Sequence, residues 1–77
     1  MPLLTLNQIN RHQTVHIHHI TESPWSARLT EMGFMPGHTI AVIRKSPFGS
    51  TLYVRLNASR IALRKIEAEQ VVIKEAK

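Results

Sequence analysis

Five histidines stand among 77 residues, and two of them, His16 and His18, are spaced to act together. Residues two apart on an extended strand point to the same face, so these two imidazoles can approach one ion. Imidazole suits zinc, copper, iron and nickel, and His12, His19 or His38 can supply a third nitrogen. Ferrous sites usually add carboxylates, however, and the chain has no Asp and no Glu beside these histidines. The competing reading makes them solvent-facing side chains with no physiological metal. The expectation is therefore no cofactor, with His16 and His18 as weak candidates for a divalent metal.

Catalysis has no constellation here. The absence of cysteine removes disulfides, thiolate zinc sites and thiol nucleophiles. The three glycines each fall at a turn, so none is left for a phosphate-cradling loop. No paired carboxylates converge by sequence, and no Ser-His-acid order is suggested. The chain reads as a binding protein rather than an enzyme.

Ten Lys and Arg against five Glu give a formal charge of +5. That balance admits nucleic acid, an anionic membrane surface or an acidic protein as partner. The basic residues are spread from Arg11 to Lys77, which also fits a solvated, mildly basic surface. An alternative function is nucleic-acid binding by a small basic β-barrel, with Arg55, Arg60, Arg64 and Lys65 clustered and Tyr53 near for stacking. Against it, aromatics are only 5% of residues and no RNA-binding signature is visible.

The elements that would position these groups follow from hydrophobic spacing. The length suits one domain, residues 1–77, with a modest core and marginal stability. Leu3, Leu4, Leu6 and Ile9 form an irregular lead-in or single turn, interrupted by Asn7-Gln8. Val15 to Ile20 alternates and is rich in β-branched residues, which predicts the first strand. Ser23 is a candidate N-cap with Pro24 at the first helical position. Trp25, Leu29 and Met32 share one face of a helix over about residues 24–32. Gly33 ends that helix in the left-handed region, Phe34 packs back on Leu29, and Pro36-Gly37 makes a tight turn.

His38 to Lys45 reads as a second strand with both faces partly buried. Ser46-Pro47-Phe48-Gly49-Ser50 is a turn, and Thr51 to Asn57 alternates as a third strand. Asn57-Ala58-Ser59 turns the chain into a short strand with Ile61 and Leu63 inward. Lys65 to Glu69 is a single helical turn, Val71 to Lys74 a last strand, and residues 75–77 a frayed end. Five short strands in so small a chain do best by curling into a partly open barrel, with the helix covering one end. The N-terminus has no basic flank and no long apolar run, so no signal peptide or membrane span is expected, and the reading is cytoplasmic.

Three linked motifs then carry a resemblance. Arg28-Leu29-Thr30-Glu31-Met32-Gly33-Phe34-Met35-Pro36-Gly37 leads into a strand. Ser46-Pro47-Phe48-Gly49 follows, and later Ile61-Ala62-Leu63-Arg64-Lys65-Ile66-Glu67-Ala68. In order and spacing, over residues 4–74, this resembles the FeoA family of small cytoplasmic proteins of bacterial ferrous iron uptake. The resemblance implies a mainly β, SH3-like small barrel with a helix inserted between its first two strands. It also implies an accessory role, docking to FeoB, the membrane iron transporter with a cytoplasmic GTP-binding domain. Membrane association would be indirect, through that partner. The family often carries Asp-Pro after the turn glycine, where this chain has Ser50-Thr51.

Within the motifs, Leu29, Gly33, Pro36, Gly37 and Leu63 answer the needs of the fold. Partner contact is expected from the helix (Trp25, Arg28, Glu31), the Phe34-Met35 corner and the Pro47-Phe48-Gly49 loop, taken as one face. The competing reading has Trp25 and Phe48 capping the two ends of a small core. An unclosed barrel edge also leaves self-association open.

Overall fold

The computed structural model describes residues 3–9 and 13–75. Six strands pair throughout in antiparallel fashion: β1 Leu4–Thr5, β2 Thr14–Ile20, β3 Thr39–Lys45, β4 Thr51–Leu56, β5 Ser59–Arg64 and β6 Val71–Glu75. Their order across the sheet is β1-β6-β2-β3-β4-β5, and the two outer strands do not pair with each other. The result is a partly open barrel. Two short helices complete it, α1 Ser26–Glu31 between β2 and β3, and α2 Lys65–Ala68 between β5 and β6.

Alternation in the sequence becomes alternation in burial. Val15 and Ile17, Ile40 and Val42, and Leu52, Val54 and Leu56 all point into one core with Leu63, Val71 and Ile73. Ala41 and Ile43 are half-buried on the other side of β3, as the mixed pattern predicts. Leu29 and Leu63 are fully buried.

One strand exceeds the expected five. Leu4–Thr5 pairs with Ile73 and Val72 of β6, where the sequence suggested an irregular lead-in. Two residues are too few for a period to show, so only the partner strand defines β1. The expected single turn follows as a 3₁₀ turn at Leu6–Gln8, with the Gln8 side chain accepting the Thr5 N–H at 2.8 Å. Glu75, expected to fray, is paired with Val15 in β6. Residues 76–77 lie outside the described residues.

The helix entry is built as its residues dictate. Ser23 Oγ accepts the Trp25 N–H at 3.2 Å, and the Ser23 carbonyl accepts the Ser26 N–H at 3.1 Å. Pro24 and Trp25 thus form a tight turn, and the regular helix begins at Ser26, two residues later than expected; Trp25, not Ser23, is its N-cap, because the Ser23 turn closes before the helix starts. At the exit, the Phe34 N–H reaches the Leu29 carbonyl and the Gly33 N–H the Thr30 carbonyl, both at 3.0 Å. This is a Schellman turn, and it needs the positive φ of 100° that Gly33 adopts. It buries Leu29 and Phe34 together in the core.

A second turn follows at once. The His38 N–H bonds to the Met35 carbonyl at 3.1 Å, with Pro36 second and Gly37, at φ 88°, third. That is the pattern of a type II turn. Gly37 then donates to the Ile17 carbonyl at 2.8 Å and Ile17 to the His38 carbonyl at 2.9 Å, which fastens the turn to β2.

The two glycines differ in surroundings, and this predicts a ranking. A Cβ on Gly33 would stand 3.3 Å from Leu56 Cδ2, whereas one on Gly37 would meet open space. Gly37→Ala should cost about 1–2 kcal/mol from backbone strain alone. Gly33→Ala should cost more, about 2–3 kcal/mol, because the core must also shift. Urea denaturation of the two variants checks the order.

Candidate functional site

The hairpin between β3 and β4 ends in an ordered tip. Gly49 donates to the Ser46 carbonyl at 2.9 Å, and Ser46 to the Thr51 carbonyl at 2.9 Å. Ser46 Oγ accepts the Thr51 N–H at 3.0 Å and lies 3.3 Å from Ser50 Oγ. Thr51 thus supplies an N–H that proline would lack, and this serine-rich network holds the loop. The tip presents Phe48 to solvent at 97% exposure, far above any other large apolar side chain described. Phe48 therefore does not cap the core. Trp25, in contrast, is half-buried and packs against the core.

The Phe34-Met35 corner divides between two fates. Phe34 is fully buried, so its expected partner contact is corrected: the Schellman turn swings its side chain inward beside Leu29. Met35 is 45% exposed. It precedes β3 and Phe48 follows it. At about 3.3 Å per residue, the seven residues of this strand set its two ends roughly 20 Å apart. The molecule is itself only 28 Å across. The single contact face expected from sequence is thus two regions, Met35 with α1 at one end of β3, and Pro47, Phe48 and Gly49 at the other. Arg28 and Glu31 are exposed on α1, Pro36 and Gly37 on the turn beside Met35.

A buried carboxylate joins these regions, and the sequence reading gave it no role. Glu67 of α2 is only 4% exposed. Its Oε1 accepts the Arg64 N–H at 2.9 Å, satisfying a free donor at the start of α2, and its Oε2 lies 3.8 Å from an Arg28 guanidinium nitrogen. Lys65, next in line, donates its N–H to the Ser50 carbonyl of the hairpin tip at 3.0 Å. Helix α1, helix α2 and the hairpin tip are therefore linked in series. The signal was present as a glutamate three residues into a helical turn, the position that caps backbone N–H groups.

The histidines are arranged differently from expectation. A bulge in β2 between Ile17 and His19 interrupts the alternation. His18 turns to His19, with Nδ1 to Nδ1 2.7 Å and the rings edge to face at 4.9 Å. That is a hydrogen-bond distance, and it requires one ring to carry the proton and the other the lone pair. His16 and His18 are both exposed with Ile17 buried between them, and the close contact of His18 is with His19. His38 is half-buried with Nδ1 unpartnered, and His12 lies outside the described residues. Among the described residues, no three His or Glu side chains converge on a point that would hold an ion.

The expected basic cluster also divides. Arg55 and Arg60 stand directly opposite each other on β4 and β5, while Arg64 pairs with Thr51 at the hairpin end beside Lys65. Arg44 lies over the Tyr53 ring at 4.9 Å, covering a face that a base would need.

The linkage through Glu67 generates a graded expectation. Glu67→Ala leaves the Arg64 N–H without its partner and should cost about 1–3 kcal/mol. Arg28→Ala should cost no more than about 0.5–1 kcal/mol, because its guanidinium is 69% exposed and screened. Thermal unfolding of both variants checks the ratio.

With the geometry in hand, likeness to known proteins is informative. A family model described as the FeoA domain matches residues 4–75. No curated protein matches the chain. Among solved structures, a FeoA-like protein from Clostridium acetobutylicum superposes with a TM-score of 0.91 at 26% identity, covering 97% of this chain and 88% of that one. FeoA from Stenotrophomonas maltophilia, solved with zinc, gives 0.83 at 29% identity, with 92% and 89% covered. It is described as an SH3-domain protein and a candidate activating factor of bacterial ferrous iron transport. T. acidophilum IdeR gives 0.84 at 15% identity, covering 99% of this chain but 35% of that one, a likeness of fold alone. The barrel is SH3-like, and the chain belongs to the FeoA family.

Proposed function

We propose that this chain is an accessory protein of ferrous iron uptake that docks to a FeoB-type transporter and modulates it by protein contact. The match to the FeoA domain over residues 4–75 carries the reading. No helix among the described residues is long and apolar enough to cross a membrane, so the role asks for contact with a protein that does.

The docking face is the exposed side of α1 with the turn that follows it. Arg28 and Glu31 offer a charge of each sign, and Met35 an adaptable apolar side chain. Trp25 beneath them is packed on the core, which gives the face a rigid base. A rigid base lowers the entropy lost on binding.

The test is a pull-down of the transporter's soluble GTP-binding domain and of detergent-solubilised transporter, each with and without GTP. The expected result is retention that weakens about tenfold on Met35→Ala with the melting temperature unchanged. Absence of retention in every nucleotide state would contradict the proposal.

A further inference from the structure

The net positive charge of this chain lies in one half of its sequence. Between Glu31 and Glu67 the chain has no acidic residue and six basic ones: Arg44, Lys45, Arg55, Arg60, Arg64 and Lys65. The other four basic residues meet all five glutamates, so that half carries +6 against −1 for the rest. Among the described residues the one ion pair is that of Arg28 with Glu67. None of the six cations is paired. Arg55 and Arg60 even face each other across the ladder, where like charges destabilise a sheet.

Four of the six collar the hairpin tip. Arg44 and Lys45 end β3, Arg64 sits opposite Thr51, and Lys65 is bonded through its backbone to Ser50. All four side chains are exposed, although Lys45 also reaches the Asn7 carbonyl at 3.0 Å. Phe48 projects beyond the collar, 97% exposed on the loop that the Ser46 network holds.

We infer that this tip binds the surface of an anionic phospholipid bilayer, with Phe48 entering the headgroup region and Arg44, Lys45, Arg64 and Lys65 meeting the phosphates. Surface binding scales with buried apolar area plus attraction to anionic lipid, and the tip offers a bare ring beside a basic patch. One ring among serines offers too little apolar area for the dry centre of a protein interface. Single-stranded nucleic acid stacks successive bases on several rings, and with Arg44 over a face of Tyr53 the tip offers Phe48 as its one bare ring. The inference does not rest on docking to the transporter, though it would orient the chain beside a membrane partner.

Distance along the hairpin sharpens the claim. Arg55 lies four residues from Thr51, about 13 Å along the strand. That exceeds the Debye length of about 8 Å at physiological ionic strength. Arg55 and Arg60 should therefore contribute little to binding at the tip.

The experiment is co-sedimentation of the full chain with vesicles of phosphatidylcholine, with and without phosphatidylglycerol, at low and physiological salt. Retention is expected only with phosphatidylglycerol, reduced by salt, and reduced about tenfold by either Phe48→Ser or Lys65→Glu. Phe48→Leu should keep most of it, and Arg55→Glu with Arg60→Glu should cost less than about threefold. Three results would overturn the inference: no retention on phosphatidylglycerol vesicles at low salt, no effect of Phe48→Ser, or an equal loss from the Arg55 and Arg60 pair. Salt-sensitive capture of an oligothymidine in place of vesicles would overturn it in favour of nucleic acid. The vesicles contain no transporter and the soluble GTP-binding domain no lipid, so failure of this inference and of the proposed docking are separable.

Discussion

The joint from Leu29 through Gly33 to Phe34 is the constraint on which the rest of the structure depends. A six-stranded sheet in so short a chain hides its apolar face only by curling, and curling leaves an end to be covered. The cover must turn sharply enough to bury a side chain before the turn and another after it. A left-handed residue at Gly33 does this, with Leu29 and Phe34 both fully buried. Each such side chain contributes about 1.5–3 kcal/mol by burial, a large share of the 5–15 kcal/mol typical of a whole domain. The same joint delivers the chain to Pro36-Gly37, which fastens the start of β3 to β2. The long hairpin therefore inherits its position from one glycine.

That arrangement separates two surfaces. At one end of β3 the helix and Met35 stand over the covered end of the core. At the other, the hairpin carries an exposed aromatic ring and unpaired cations away from the body. Glu67 connects the two through α2, since it accepts from Arg64 beside the tip and faces Arg28 on α1. A small barrel with polarised charge and two ends is suited to bridging a protein and a surface.

Much of this was legible in the sequence because the signals were local. The alternation at Leu52, Val54 and Leu56, the turn from Ser23 into the helix, and the Gly33-Phe34 exit each depend on residues only a few positions apart. What was not legible depended on pairing across the fold. β1 exists because β6 lies beside it, and the bulge at Ile17–His19 arises in the ladder with β6, where His18 comes against His19. Phe34 was expected both to pack on Leu29 and to meet the partner, and the turn that gives it the first role buries it from the second. Glu67 escaped notice because its partners, Arg28 and the Arg64 N–H, converge only in the folded chain. The site was hardest to read because the spacing of Met35 and Phe48 in sequence gives no hint that β3 holds them at opposite ends.

The proposed docking places the protein partner at the α1–Met35 end and not at the hairpin tip. Amide chemical shifts of the isotope-labelled chain, followed while the transporter's soluble GTP-binding domain is added, test this most directly. The account predicts changes concentrated over residues 25–35, with residues 46–50 unmoved. Changes confined to the hairpin tip, or none at saturating partner, would contradict it.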